Sequence, residues 1–376
     1  MTVIDADTHV EETDETWSYL RPDERWFAPK TVVLDPEAIP LDPGGDGLQV
    51  KGTGFGSGDN RYWLFVDGAV RPRLSRKDDA TGATQATRQL TDVAARLRHM
   101  DELGTDIHVM FTSCFLHVNT VRQDVEAGLC RSYNHWMAEK CAKSGGRLRW
   151  VAVLPLLNME ATLEQVRFAK EQGAVAVMMK GFHFGRPAGD PYFYPLYQLA
   201  NDLDISVCVH TGAGDPNVAT MLRPFVGLWP SVAPVLDACV SLLLAGVPDR
   251  FPKLRVGFIE AGASWVPFVL SYMWARRYRM AQADMTKRGA MRFDDASEMF
   301  RASRFYVAYQ TYEDLDYLIA NGLEDCLVIG TDYTHVDQSA ELRALCAMQE
   351  RAERGEVSSV IVRKMLDDNP RSLYGL

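Results

Sequence analysis

The sequence predicts an α/β fold, a (β/α)8 barrel of the TIM type with a loop and hairpin lobe inserted after its first strand. Two observations carry this. Eight short, strongly apolar runs recur along the chain, and from the second run onward each is followed by one segment with helical spacing. Strands that apolar belong to a parallel sheet covered by helices on both faces, and eight strand-then-helix units are the number that closes into a barrel. An open doubly wound sheet is the alternative. No GxGxxG run follows an early strand, which weakens its dinucleotide-binding version. Residues 1–376 are therefore read as one barrel domain, with the insertion at about 20–87.

The first run is Val3-Ile4-Asp5-Ala6-Asp7-Thr8-His9-Val10-Glu11. In an extended strand, residues two apart point to the same side, so Asp7 and His9 face together. A carboxylate oxygen and an imidazole nitrogen held side by side suit a divalent cation such as Zn²⁺ or Mn²⁺; a solvated strand end is the plainer reading. The next section is rich in Pro, Gly and Asp, and within it residues 61–70 read as a hairpin turning on Asp67-Gly68. A section this long reads as an inserted lobe or lid. Its Gly-rich run, Gly52 to Gly58, has neither the lysine nor the strand-to-helix setting of a phosphate loop and reads as plain loop.

Regular alternation follows. Apolar residues at helical spacing over 90–103 stop at Gly104, a residue suited to ending a helix. Strands are expected at 107–111, 150–154, 174–179, 205–210, 254–260, 305–308 and 326–332. Helices are expected between them at about 123–144, 161–171, 194–203, 232–245, 265–285 and 315–321, with further helices closing the chain.

Composition narrows the partners. With 50 acidic against 40 basic residues the net charge is -10, whereas a nucleic acid or an anionic membrane would want a basic face. A small-molecule substrate is expected instead. No run of 18 apolar residues occurs, and the N-terminus enters a strand pattern without a basic and then apolar leader, so a soluble cytoplasmic protein is expected. The seven cysteines are odd in number and form no CxxC pair, the usage of reduced core thiols.

In a (β/α)8 barrel the C-terminal ends of the strands converge on one face, and polar residues there are the natural site candidates. The first strand offers Asp7 and His9, the fourth is followed by Lys180 and His183, and the fifth ends at His210. The sixth ends at Glu260 and the eighth at Asp332, with His335 just beyond. His210 alone could be a satisfied core histidine; beside Asp7, His9 and Asp332 at equivalent strand ends, metal ligation is the better reading.

Four spaced motifs carry a family resemblance: Asp5-Ala6-Asp7-Thr8-His9, Val209-His210-Thr211-Gly212, Glu260-Ala261-Gly262-Ala263-Ser264-Trp265-Val266-Pro267, and Gly330-Thr331-Asp332-Tyr333-Thr334-His335. In these the chain resembles the metal-dependent amidohydrolase superfamily, in the branch of aminocarboxymuconate-semialdehyde decarboxylase and the resorcylate-type and carboxyvanillate-type decarboxylases. The superfamily's His-x-His pattern on the first strand is here Asp7-x-His9, which resembles the carboxylate-x-His variant of the decarboxylases. The resemblance implies Asp7, His9, His210 and Asp332 as ligands of one divalent ion, Zn or Mn, and assembly as a homodimer or larger homo-oligomer. It is least secure at the sixth strand, where many relatives place a histidine. There Glu260 could orient His210, act as a general acid or base, or be a structural carboxylate.

Two reactions suit such a site. One is the non-oxidative decarboxylation of a small aromatic or unsaturated carboxylic acid, in which the metal and a cationic side chain grip the substrate. The other is attack of a metal-activated water on an amide, ester or lactone, with Asp332 taking the proton. The resemblance favours the first. His183 is a candidate for proton delivery or substrate contact, and a capping loop histidine otherwise. Lys180 and His335 are candidate substrate contacts. Arg61 and Arg186 are candidate carboxylate clamps because a guanidinium fork matches two oxygens. The aromatic residues Phe182, Phe184, Tyr192, Phe193, Tyr194 and Trp229 would line a pocket for a planar substrate.

Overall fold

The computed structural model describes residues 1–33, 61–74, 76–212, 214–215, 232–281, 296–336 and 339–376. The Gly52–Gly58 run and Trp229 lie outside these residues. Eight parallel strands form one sheet in chain order: β1 (Ile4–Val10), β2 (Ile107–Thr112), β3 (Leu148–Val153), β4 (Ala176–Met179), β5 (Ser206–His210), β6 (Val256–Ile259), β7 (Phe305–Tyr309) and β8 (Leu327–Ile329). The helices between them are α1 (Val93–Leu103), α2 (Gln123–Ala142), α3 (Met159–Glu171), α4 (Tyr194–Leu203), α5 (Ala233–Leu244), α6 (Trp265–Ala281) and α7 (Leu315–Ala320), and α8 (Ala344–Glu353) follows β8. This is the predicted (β/α)8 order.

The strands are apolar throughout because they are buried throughout: every residue of β1, β4, β5, β6 and β8 is buried. The helix ends follow local chemistry. Asp92 accepts from the Ala95 amide and starts α1, which ends at Gly104 with φ +68°. Asn158 does the same for Ala161, so α3 begins two residues ahead of the expected 161.

The barrel closes between its first and last strands through side chains as much as backbone. The Asp5 carboxylate accepts from Thr331 twice, from the amide at 2.9 Å and from the hydroxyl at 2.6 Å. Asp332 N donates to Asp7 O and His9 N to Tyr333 O, both at 2.9 Å. Burial pushes the Asp5 carboxyl up to about 7, against those two hydrogen bonds, which favour its ionised form.

After β1 comes a small antiparallel sheet of Lys30–Val33, Arg61–Leu64 and Val70–Pro72. The expected hairpin is its second half, with Gly68 at φ +87° in the turn. Asp67 anchors it to the barrel by accepting from Thr120 Oγ1 and the Val121 amide, each at 2.8 Å. All seven cysteines are free. Among the described residues, no helix is long and apolar enough to cross a membrane.

Candidate metal centre and active site

The register of β1 against β2 shifts between Asp5 and Thr8, an irregularity of the kind that re-aims side chains beside active sites. Asp5 is spent on the seam with Thr331. Asp7 and His9 share a side, as the alternation predicts, and bring Oδ1 and Nε2 within 3.4 Å. His210 at the end of β5 places Nε2 3.7 Å from Asp7 Oδ1. Asp332, past β8, places Oδ1 3.3 Å from His9 Nε2. Glu260, directly after β6, reaches in as well, with Oε2 3.1 Å from His210 Nε2 and 3.7 Å from His9 Nε2. Five side chains from four strand ends thus gather in two overlapping groups that share His9 and Glu260: Asp7 and His210 complete one, and Asp332, joined by His335, the other.

The approach is close enough to dictate a glycine. A Cβ on Gly330 would lie 2.3 Å from the Asp7 Cβ. Gly330→Ala is therefore expected to displace Asp7 and to weaken divalent-cation binding roughly 10- to 100-fold, the scale seen when support of a ligand is removed; titration calorimetry with Mn²⁺ measures it.

Hydrogen bonds set the imidazole tautomers. His9 Nδ1 lies 2.9 Å from the Thr112 carbonyl oxygen, so it carries the proton and Nε2 turns a lone pair toward the carboxylates. His210 Nδ1 is held in the same sense, 3.3 Å from the Thr211 carbonyl. Asp7 Oδ1, His9 Nε2 and His210 Nε2 are buried and form no hydrogen bond. Lone pairs and carboxylate oxygens packed this way repel unless a cation stands among them. Nitrogen and oxygen donors about 2.1 Å from a common ion lie roughly 3 to 3.5 Å apart, close to the spacing found, so the residues fit a divalent ion.

In place of the ion, protons on the imidazoles would meet the same carboxylates. Burial would raise the Asp7 carboxyl, but the His210 and His9 imidazoles outweigh it and hold that carboxyl well below its ordinary range. Burial lowers His9. It would lower His210 too, yet the Glu260 and Asp7 carboxylates overcome it and raise that imidazole. A proton and a cation therefore compete for the same position on His210, as they do wherever ligands must deprotonate.

His335 completes the cluster. Its ring stacks on His9 with centroids 4.0 Å apart, Nδ1 lies 2.8 Å from Asp332 Oδ1, and Nε2 is 3.2 Å from Ser113 Oγ. Burial holds its pKa well below the ordinary value, so it is neutral. Ser339 Oγ faces the outer oxygens of two carboxylates, 3.0 Å from Asp332 Oδ2 and 3.4 Å from Glu260 Oε1. Ser339 and Ser113 were not legible as site residues: Ser339 lies well past β8, and Ser113, directly after β2, is neither charged nor a metal-ligand type.

The remaining candidates do not enter this cluster. His183 Nε2 accepts from the Lys180 amide at 2.9 Å, and burial lowers that imidazole well below its ordinary value. It stands in a two-residue strand (Phe182–His183) paired with Arg186–Pro187. Arg186 is exposed, 3.8 Å from Asp190 and stacked on Tyr192. Arg61 begins the middle strand of the small antiparallel sheet.

Lys180 is buried with Nζ 3.4 Å from the His117 carbonyl. It lines a cavity at the ends of β2, β3 and β4 that Glu126, His183 and Phe184 also border. A second cavity, about 310 Å³, opens on Asp332 and His335. In the first, burial raises Glu126 from 4.5 to about 7 while its carboxylate accepts from the Leu157 amide at 2.9 Å. A carboxyl raised on folding stabilises below its unfolded pKa, and that stability is lost as pH rises from about 4.5 through about 7. Glu126→Gln is accordingly expected to flatten the decline in stability across that window by about 3 kcal/mol; urea unfolding at pH 5 and pH 8 tests it.

Comparison with known proteins places this geometry in context. A family model described as amidohydrolase matches residues 74–376. Gamma-resorcylate decarboxylase of Polaromonas sp. (strain JS666) is 25% identical over 173 residues, covering 43% of this chain and 53% of that protein. The chain spans about half the length of the curated relatives it matches. Among solved structures, an amidohydrolase from Mycobacterium avium subsp. paratuberculosis K-10 matches with TM-score 0.72 and 17% identity, over 100% of this chain and 99% of that one. A dihydroxybenzoic acid decarboxylase from Polaromonas sp. JS666, with bound manganese and the inhibitor 2-nitroresorcinol, matches with TM-score 0.63 and 17% identity, over 100% and 97% of the two chains. At those identities the likeness speaks for the barrel alone.

Proposed function

The chain belongs to the amidohydrolase family, and from that premise we propose that it is a metal-dependent enzyme that decarboxylates a small aromatic or unsaturated carboxylic acid without an oxidant. The observation that carries this reading is the meeting of strand ends around His9, whose Nε2 lies 3.4 Å from Asp7 Oδ1 and 3.3 Å from Asp332 Oδ1, with His210 Nε2 3.7 Å from Asp7 Oδ1. The partial match to gamma-resorcylate decarboxylase supplies the reaction class.

A divalent ion, Zn²⁺ or Mn²⁺, bound by these residues would hold the substrate carboxylate with a neighbouring hydroxyl or carbonyl oxygen and withdraw electron density from it. Asp332 is the proton donor in this reading. The carbon bearing the carboxylate takes the proton, and the electrons of the broken carbon–carbon bond remain on that carbon as carbon dioxide leaves. His335 Nδ1 stands beside the donor, 2.8 Å from Asp332 Oδ1, with Ser113 Oγ on its other side. Lys180, buried in the neighbouring cavity, is the cation for any second polar group of the substrate that extends there. His183 positions the Lys180 backbone through the amide it accepts from. The enzyme is read as cytoplasmic and as a homodimer or larger assembly, the latter open to sedimentation analysis.

Carbon dioxide release from aromatic hydroxy acids such as gamma-resorcylate tests the reaction. Dialysis against a chelator is expected to abolish release, and added Mn²⁺ or Zn²⁺ to restore it. Cleavage of amides, esters or lactones by the metal-loaded protein, with no carbon dioxide from any aromatic acid, would overturn the proposal.

A further inference from the structure

We propose that Glu260 is itself a ligand of the cation, beside Asp7, His9 and His210, with which its carboxylate forms one close group. The inference rests on the reading of the cluster as a cation site and goes beyond the four ligands implied by resemblance.

Three observations point to it. The first is distance. Glu260 Oε2 stands 3.1 Å from His210 Nε2 and 3.7 Å from His9 Nε2, the same spacing that Asp7 and Asp332 keep from these imidazoles. It approaches buried atoms, His210 Nε2 and His9 Nε2, that form no hydrogen bond and belong to fully buried residues.

The second is backbone. Glu260 and Asp332 both have left-handed φ, +61° and +50°, a conformation costly for any residue with a side chain and concentrated at functional sites. Each stands just past its strand, where the turn re-aims its carboxylate. The third is the treatment of the oxygens. Ser339 Oγ faces Glu260 Oε1 and Asp332 Oδ2, while Glu260 Oε2 and Asp332 Oδ1 are the atoms facing the imidazoles. Both carboxylates are thus held in one way, outer oxygen on a shared hydroxyl and inner oxygen toward the cation position.

A second carboxylate beside Asp7 makes the donor set richer in oxygen than the nitrogen- and sulfur-rich tetrahedral sets that Zn²⁺ favours. An oxygen-rich set of higher coordination suits Mn²⁺.

The test is Mn²⁺ and Zn²⁺ binding to chelator-stripped protein, by calorimetry and by the electron paramagnetic resonance of bound Mn²⁺, for the wild type, Glu260→Gln and Glu260→Asp. Wild type is expected to bind one ion per chain. Glu260→Gln should weaken Mn²⁺ binding at least about tenfold, weaken Zn²⁺ less, and alter the spectrum of bound Mn²⁺, with Glu260→Asp between the two. Circular dichroism of the metal-free variants separates ligand loss from misfolding, and the aspartate variant carries the comparison if the glutamine variant does not fold. Unchanged Mn²⁺ affinity and spectrum in folded Glu260→Gln would overturn the proposal while leaving the four-ligand site intact. Failure of the wild type to bind either ion would overturn the cation reading and this proposal with it.

Discussion

Asp332→Asn is expected to lower the rate of carbon dioxide release by about 10³-fold or more at saturating Mn²⁺. The substitution keeps the shape of the side chain and an oxygen able to accept from Ser339, 3.0 Å away. It removes two things at once. The negative charge 3.3 Å from His9 Nε2 disappears, and so does a carboxyl able to hand a proton to carbon. Metal content and turnover measured together separate the two losses. If the Asp332→Asn protein retains its ion and still loses the rate, proton delivery is the larger part. His335→Gln should cost less than Asp332→Asn, since His335 acts through Asp332 at 2.8 Å and not on the substrate. A decline within tenfold for Asp332→Asn would remove Asp332 as the donor.

The second large effect concerns stability. Arg88→Met is expected to destabilise the fold by about 3 to 5 kcal/mol, the cost of leaving a buried charge without its partner. Arg88 is fully buried, with Nε 3.1 Å from Glu11 Oε1 and Nη1 2.9 Å from both Asp78 Oδ1 and Thr81 Oγ1. It also donates to the carbonyls of Ala83 and Arg76. Burial raises the Glu11 carboxyl, and the Arg88 and Arg76 guanidinium groups are what oppose that rise. Without Arg88 the nearest opposite charge is Arg76, 3.8 Å away. A lowered urea midpoint with an unchanged slope is the expected reading. Because Arg76 Nη1 also donates to the Thr334 carbonyl at 2.9 Å, this cluster braces the loop that carries Asp332 and His335, and some loss of cation affinity should accompany the loss of stability.

The barrel was legible because its signal is local. Each strand is a run of buried apolar residues and each helix has its own spacing and cap, as at Asp92 and Gly104. Asp7 and His9 were legible for the same reason, two residues apart on one strand. Signals that depend on distant partners were not. Lys30–Val33 is mostly exposed and pairs with Arg61–Leu64, so neither its pattern nor its neighbours mark it as a strand. Glu260 was visible as a strand-end carboxylate, but its direction is set by a left-handed turn and by Ser339, 79 residues downstream. Arginines are the hardest case, because a guanidinium fork suits many partners: Arg186 faces Asp190 and Tyr192, whereas the buried guanidinium groups near the site include Arg76, Arg88 and Arg96.

The clasp between Asp5 and Thr331 spans 326 positions of sequence, and it imposes an order of events on synthesis. A chain still emerging from the ribosome holds Asp7 and His9 from the outset but cannot gather their partners until the eighth strand has been made. Until then one edge of the first strand has no neighbour, the condition under which strands pair with the wrong chain. Contacts so remote in sequence form slowly, so full competence to capture a cation should be among the last properties a newly made copy acquires, and a nascent copy halted before Thr331, with its barrel unclosed and Asp332 missing, should bind one more weakly.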